Sequence, residues 1–267
     1  YLADGVFRTL PEALVYVERT QMDGTIRQGL VGAVDLEAYD YNPGSKPAIR
    51  PSEKTVVERI PPRLKVRRGA ILETPHVMML ADDEKKTLIE PIGDHKDSLP
   101  LLYDGELMLG GGHLRGWAVE DPALIDQINA ALADLADEKK FAARWPRAAG
   151  EPPMVLAVGD GNHSLATAKQ CYENLKKVTP EDQWADLPAR YALVEVVNNH
   201  DDALQFEPIH RVLFGVEPEQ VLEAMKAAYP GAHEGEGEGH TIEFVWNDES
   251  HFITVPDPKV QLAVGTL

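Results

Sequence analysis

The stretch that most limits how this chain can fold is Met154-Val155-Leu156-Ala157-Val158-Gly159-Asp160-Gly161-Asn162-His163-Ser164. Its apolar half, Met154–Val158, reads as a short buried strand. Gly159 and Gly161 then allow a tight turn. The Ala- and Leu-bearing run from His163 to about Lys177, stopped by Pro180, reads as a helix. A strand passing through a glycine turn into a helix gathers backbone N–H groups and the positive helix end at one point, which suits a phosphate or carboxylate. Asp160, Asn162, His163 and Ser164 add polar side chains there. The plain structural alternative is an ordinary turn in which Asn162 or Ser164 caps the helix.

The elements around this unit are mixed. Ala13–Thr20 and Ile26–Leu36 read as strands joined by the turn Met22-Asp23-Gly24-Thr25. The Pro- and Gly-punctuated segment Tyr41–Pro62 reads as an irregular surface crossing. His76–Ala81 and Thr87–Ile92 suggest a second hairpin around Asp82–Lys86, and Gly110-Gly111-Gly112-His113 demands a tight turn between apolar runs. Asp121-Pro122 is a helix N-cap with proline at the first position. Leu124, Ile125, Ile128, Leu132 and Leu135 continue that helix to about Phe141. Tyr191–Val197 is β-rich, Glu217–Tyr229 helical and Glu234–Gly239 a loop, and Thr241–Trp246 with His251–Val255 forms a last hairpin. Hairpins interleaved with helices favour an α+β class over a doubly wound parallel sheet. No repeat and no long linker divides the chain, so one domain over 1–267 is expected.

Charge adds a positional constraint. The 267 residues carry 44 acidic and 26 basic side chains, a formal net charge of −18, which excludes a general nucleic-acid binder relying on many phosphate contacts. Yet eight basic residues lie between Lys46 and Arg68, opposed only by Glu53 and Glu58, whereas Glu217–Glu249 holds nine acidic residues and Lys226 alone as a base. The basic stretch is either a solvated surface or an anion-binding segment. In the second case it should lie against the Asp160–Ser164 turn. Cys171 is the single cysteine, so no intrachain disulfide forms. No apolar run is long enough to span a membrane and no secretion signal opens the chain, so a cytoplasmic location is expected. The start at Tyr1 and the stop in Val260–Leu267 suggest a piece of a longer polypeptide.

The segment Val158–Lys169 resembles the signature of an uncharacterised family, domain of unknown function ten-fifteen, many members of which read Asp-Gly-His-His-Arg at this place. The likeness continues in Ile49–Thr55, Glu58–Arg67, Leu109–His113 and Glu207-Pro208-Ile209-His210-Arg211. Members run longer at both ends. The motif is similar to one in free-serine kinases and, more distantly, in sulfiredoxin and ParB proteins. The resemblance implies a ParB/sulfiredoxin-like mixed sheet with nucleotide phosphates held at the turn. Asp160, Gly161 and His163 match the motif; Asn162 and Ser164 depart from it, and the lost arginine is a bidentate phosphate donor. Arg59, Arg63 or Lys65 would have to replace it. Sulfiredoxin chemistry needs a cysteine where Asn162 stands, so thiol chemistry is not expected.

By the same resemblance Glu53, in Arg50-Pro51-Ser52-Glu53, corresponds to the kinase glutamate that acts on the substrate hydroxyl; the alternative is a salt bridge to Arg50 or Arg59. The expected catalytic set is Glu53, Asp160 and His163. Gly159, Gly161, Asn162, Ser164, Arg59 and Arg63 would bind ATP or ADP with Mg²⁺. Arg50, His113, His210 and Arg211 would orient the substrate. No protein metal site is expected, His200-Asp201-Asp202 being a weak signal. These residues point to a nucleotide-dependent enzyme, a kinase of a small hydroxyl-bearing metabolite, with no nucleic-acid or membrane partner. The rivals are a non-catalytic nucleotide- or anion-sensing module of ParB-like type and a small-molecule phosphohydrolase.

Overall fold

A computed structural model describes residues 1–10, 12–72, 77–205, 210–260 and 262–267. The chain packs as two compact units, Tyr1–Leu204 and Gln205–Leu267, where the sequence reads as one domain. The division follows from two separate apolar clusters, one under the large sheet and one around Met225, Ile242, Ile253 and Val255.

The first unit holds strands β1 (Leu14–Thr20), β2 (Ile26–Asp35), β3 (Ile49–Pro51), β4 (Met78–Ala81), β5 (Leu101–Glu106), β6 (His113–Val119), β7 (Leu156–Asp160) and β8 (Tyr191–Asn198). Its helices are α1 (Ile60–Arg67), α2 (Glu90–Gly93), α3 (Pro122–Leu135), α4 (Glu138–Arg144) and α5 (Asn162–Lys176). The strands make one mixed sheet in the order β3-β7-β4-β8-β2-β1-β6-β5. β3 and β7, and β4 and β8, run parallel; the other neighbours are antiparallel.

Register places Tyr16, Leu30, Met79, Trp117, Val158 and Val194 on one face. They bury against Leu124 and Ile128 of α3 and Leu165, Ala168 and Tyr172 of α5. The opposite face carries a buried ion pair, Arg27 to both oxygens of Glu195 at 3.1 and 3.2 Å. Gly29 makes that pair possible, because any side chain there would collide with Glu195.

The β1–β2 hairpin turns as its sequence requires: Gly24 has φ +85°, and the Asp23 carboxylate accepts from the Thr25 N–H at 2.9 Å. Asp121 caps α3 by accepting from the Ala123 N–H. That helix does not continue to Phe141. Asp137 accepts from the Lys140 N–H at 2.9 Å and starts α4 as a separate helix.

The expected second hairpin is absent. Met78–Ala81 is a strand, but Asp83 accepts from the N–H groups of Thr87 and Leu88 at 2.6 and 2.8 Å and turns the chain away. Leu88, Ile89 and Ile92 then enter the core around α2, and β4 pairs with β7 and β8 instead. His76, at the start of that expected strand, lies outside the described residues. The Tyr41–Pro62 crossing also carries more order than expected: β3 adds the parallel edge strand, and α1 begins at Ile60.

The second unit contains α6 (Pro218–Ala228), β9 (His233–Glu234), β10 (His240–Trp246), β11 (Glu249–Val255) and α7 (Ala263–Thr266). Its antiparallel sheet has the order β10-β11-β9. Tyr229 donates to the Thr266 carbonyl at 2.6 Å, tying the end of α6 to α7. No helix among the described residues is long and apolar enough to cross a membrane.

Candidate functional site

The site begins where β7 ends. Gly159 gives close packing: a Cβ there would press into Leu80 of the neighbouring strand. Gly161 gives conformation: its φ of +88° lies in the left-handed region, which side chains disfavour. Gly161 is the N-cap of α5, and no side chain caps that helix. Neither Asn162 nor Ser164 takes the capping role, because both already lie inside the first helical turn. Asp160 turns its carboxylate onto the Gly161 N–H at 2.7 Å. The first N–H groups of α5 thus have no capping side chain, with the positive helix end behind them.

The basic stretch lies against this turn. Asn162, almost fully buried, accepts from the Ser52 N–H at 3.2 Å and donates to the Ser52 hydroxyl at 3.2 Å. The Val56 N–H donates to His163 Nε2 at 3.2 Å. An Nε2 that accepts a hydrogen bond leaves the ring proton on Nδ1 in the neutral tautomer. Nδ1 faces Glu53 Oε1 at 3.8 Å, with the His163 side chain 14% and the Glu53 side chain 61% exposed. The Glu53 carboxylate therefore lies near the His163 ring, beyond hydrogen-bond distance, and α1 packs on α5.

Other expected members are not gathered here. The Arg50 guanidinium donates to the carbonyls of Pro47, Lys46 and Pro152 at 2.8, 3.3 and 2.6 Å, so it ties loops together. Arg63 donates to the Arg59 carbonyl at 3.0 Å, and both arginines are solvent-exposed along α1. No hydrogen bond among the described residues joins either of them to the turn. His113 opens β6, five strands from β7 in the sheet, or roughly 24 Å at ~4.8 Å per strand. Its ring is held between Asp104 and Glu106 at 2.5 and 2.7 Å, so it clasps a hairpin. Those two carboxylates, Glu106 first, raise its pKa above the usual imidazole value. His210 and Arg211 belong to the second unit and are exposed; Glu207-Pro208-Ile209 lie outside the described residues.

Ser52 and the Val56 N–H belong to the site although sequence alone did not single them out. The only signal was their membership of the basic stretch, since their partners lie more than a hundred residues away. The weak His200-Asp201-Asp202 signal resolves into structure. His200 bonds Asp82 at 2.8 Å, and Asp201 accepts from the N–H groups of Gln28 and Ala203 at 3.0 and 2.9 Å. A hollow of about 330 Å³ opens beside Asp201, lined also by Gln28, Lys86 and Glu90. Among the described residues no group of three or more His, Cys, Asp or Glu is placed to hold a metal ion.

No curated protein and no solved structure matches the chain. One family does: with its model matching residues 1–267, glycine turn and latched segment included, the chain belongs to the family described as Protein of unknown function (DUF1015).

Proposed function

We propose that the chain is a nucleotide-dependent phosphotransferase of the ParB/sulfiredoxin-like kind, acting on a small hydroxyl-bearing substrate. The observation that carries this reading is the latch of residues 52–56 over the α5 N-terminus, which sets Glu53 beside His163 at an uncapped helix end. In this reading the terminal phosphates of ATP or ADP lie against the first N–H groups of α5, where the helix dipole favours anionic oxygens. His163 Nδ1–H orients Glu53, and Glu53 accepts the proton of the substrate hydroxyl. The freed oxygen pair bonds to the terminal phosphorus while the bond to the departing nucleotide breaks and its electron pair leaves with that nucleotide. Mg²⁺ would neutralise phosphate charge when bound. With no three-ligand protein set among the described residues, it would be held chiefly by the nucleotide's own oxygens.

Titration calorimetry of the full chain with ATP, ADP and CTP, with and without Mg²⁺, tests the reading. Saturable binding of one of them is the expected result, and no binding of any refutes it. A second reading is favoured by the exposure of Glu53: a nucleotide sensor without turnover. Glu53→Gln separates the two. An enzyme loses phosphoryl transfer at unchanged nucleotide affinity, while a sensor shows no transfer in either form.

A further inference from the structure

The chain between β3 and α1 is fixed at its two ends and held lightly between them. Ile49 of β3 is 5% exposed and pairs with β7, and Ile60, at the start of α1, is 3% exposed. From Ser52 to Arg59 every residue is exposed except Thr55, at 6%. Three hydrogen bonds of 3.2 Å tie this segment to Asn162 and His163. Few buried apolar contacts, and hydrogen bonds at the long end of the normal range, are the marks of a segment that opens locally.

Thr55 is the peg of this segment, and its hydroxyl has no partner. Oγ1 is closed to solvent and bonds no donor or acceptor. Burying a hydroxyl in this way opposes the closed state, while burying the methyl beside it favours that state. In the open segment the same hydroxyl meets water. A valine would fill the space of the threonine without that cost, so Thr55 holds the segment less tightly than its shape allows.

We propose that residues 52–59 form a strap that opens about its two anchored ends while the first unit stays folded, and that the Thr55 hydroxyl sets how readily it opens. The closed strap leaves Asn162 4% and the His163 side chain 14% exposed. Opening breaks the bonds to both, uncovers the first turn of α5 and carries Glu53 away from His163. An oxyanion then reaches the helix end, and closure returns Glu53 to it. Entry of a nucleotide phosphate by this route rests on the phosphotransferase reading; the opening itself does not.

Hydrogen exchange of the full chain, followed by NMR in wild type, Thr55→Val and Thr55→Ser, tests the strap, each rate being corrected for the intrinsic rate of its amide. In wild type the Val56 amide, which bonds His163, should exchange at least about tenfold faster than the amides joining β1 to β2. Thr55→Val should slow Val56 exchange about tenfold. Thr55→Ser, which keeps the hydroxyl and loses the methyl, should quicken it about threefold or more. Val56 exchanging only as fast as the β1–β2 amides overturns the proposal. So does exchange that is unchanged or faster in Thr55→Val, since a hydroxyl with a partner would give that sign. Stopped-flow mixing with fluorescently labelled ADP and Mg²⁺ separates the two readings. Association slowed in Thr55→Val by the same factor as the exchange joins the strap to entry, and an equal association rate overturns that link. If wild type binds no ADP, the nucleotide reading falls, and the strap is decided by the exchange signs.

Discussion

Replacing Asn162 by alanine removes the latch that fixes the segment carrying Glu53. The side chain is 4% exposed and makes two hydrogen bonds at 3.2 Å to Ser52, plus a contact to the Val158 carbonyl at 3.5 Å. The long third contact adds little. Each of the other two is worth about 1 kcal/mol net, because Ser52 can turn to water once the amide is gone. The expected loss is about 2 kcal/mol. For a unit of this size that lowers the melting temperature by about 4–8 °C. Scanning calorimetry reads the first quantity, and hydrogen exchange at the Val56 amide reads the latch, since that N–H donates to His163. The variant should melt lower and exchange Val56 faster. A melting point within about 1 °C of wild type, with Val56 protection unchanged, would show that Asn162 does not hold the segment.

Two further outcomes follow from charged groups. His113 should titrate above the ordinary imidazole value by NMR because Glu106 and Asp104 hold its protonated form, and Glu106→Gln should bring it down. Its contribution to stability is full below the ordinary value and lost as pH rises through the raised one, so an unshifted titration contradicts the clasp. Arg27→Met should destabilise the first unit by about 3 kcal/mol in urea unfolding, because Glu195 loses the guanidinium that faces it in a buried site. A loss below about 1 kcal/mol would mean that the pair is solvated in solution.

What the sequence revealed was local chemistry. Asp23-Gly24, Asp121-Pro122 and Gly161 each carry their instruction within a few residues and formed as expected, whereas Gly159 and Asp160, expected in the turn, continue β7. The failures occurred where distant partners decided the outcome. Thr87–Ile92 has strand-like composition, yet the Asp83 carboxylate and the core claimed it. β3 is only three residues long and exists because β7 offers it a parallel edge. At the site the pattern is the same. Asp160, Gly161 and His163 were legible, and the basic stretch lies where the sign inversion suggested. The identities that lock it there, Ser52 to Asn162 and Val56 to His163, involve backbone groups that leave no mark on composition. Arg50 and His113 looked like ligands because exposed cations and rings look alike in sequence, whether or not a carbonyl or carboxylate already holds them.

The strand order also sets a timetable for assembly. β1, β2, β5 and β6 can pair from neighbouring sequence as soon as residues up to Val119 are available. The other half waits: the free edge of β2 is closed only by β8, Leu30 meeting Val196, and β4 must then settle between β8 and β7. Such long-range closures are the slow steps of folding. During synthesis the inner edge of β2 therefore stays open until almost all of the first unit has emerged, exposed to strand-pairing with other chains. The turn that bears His163, and to which the Glu53 segment is latched, is built on β7, so the candidate site is among the last parts of the first unit to form.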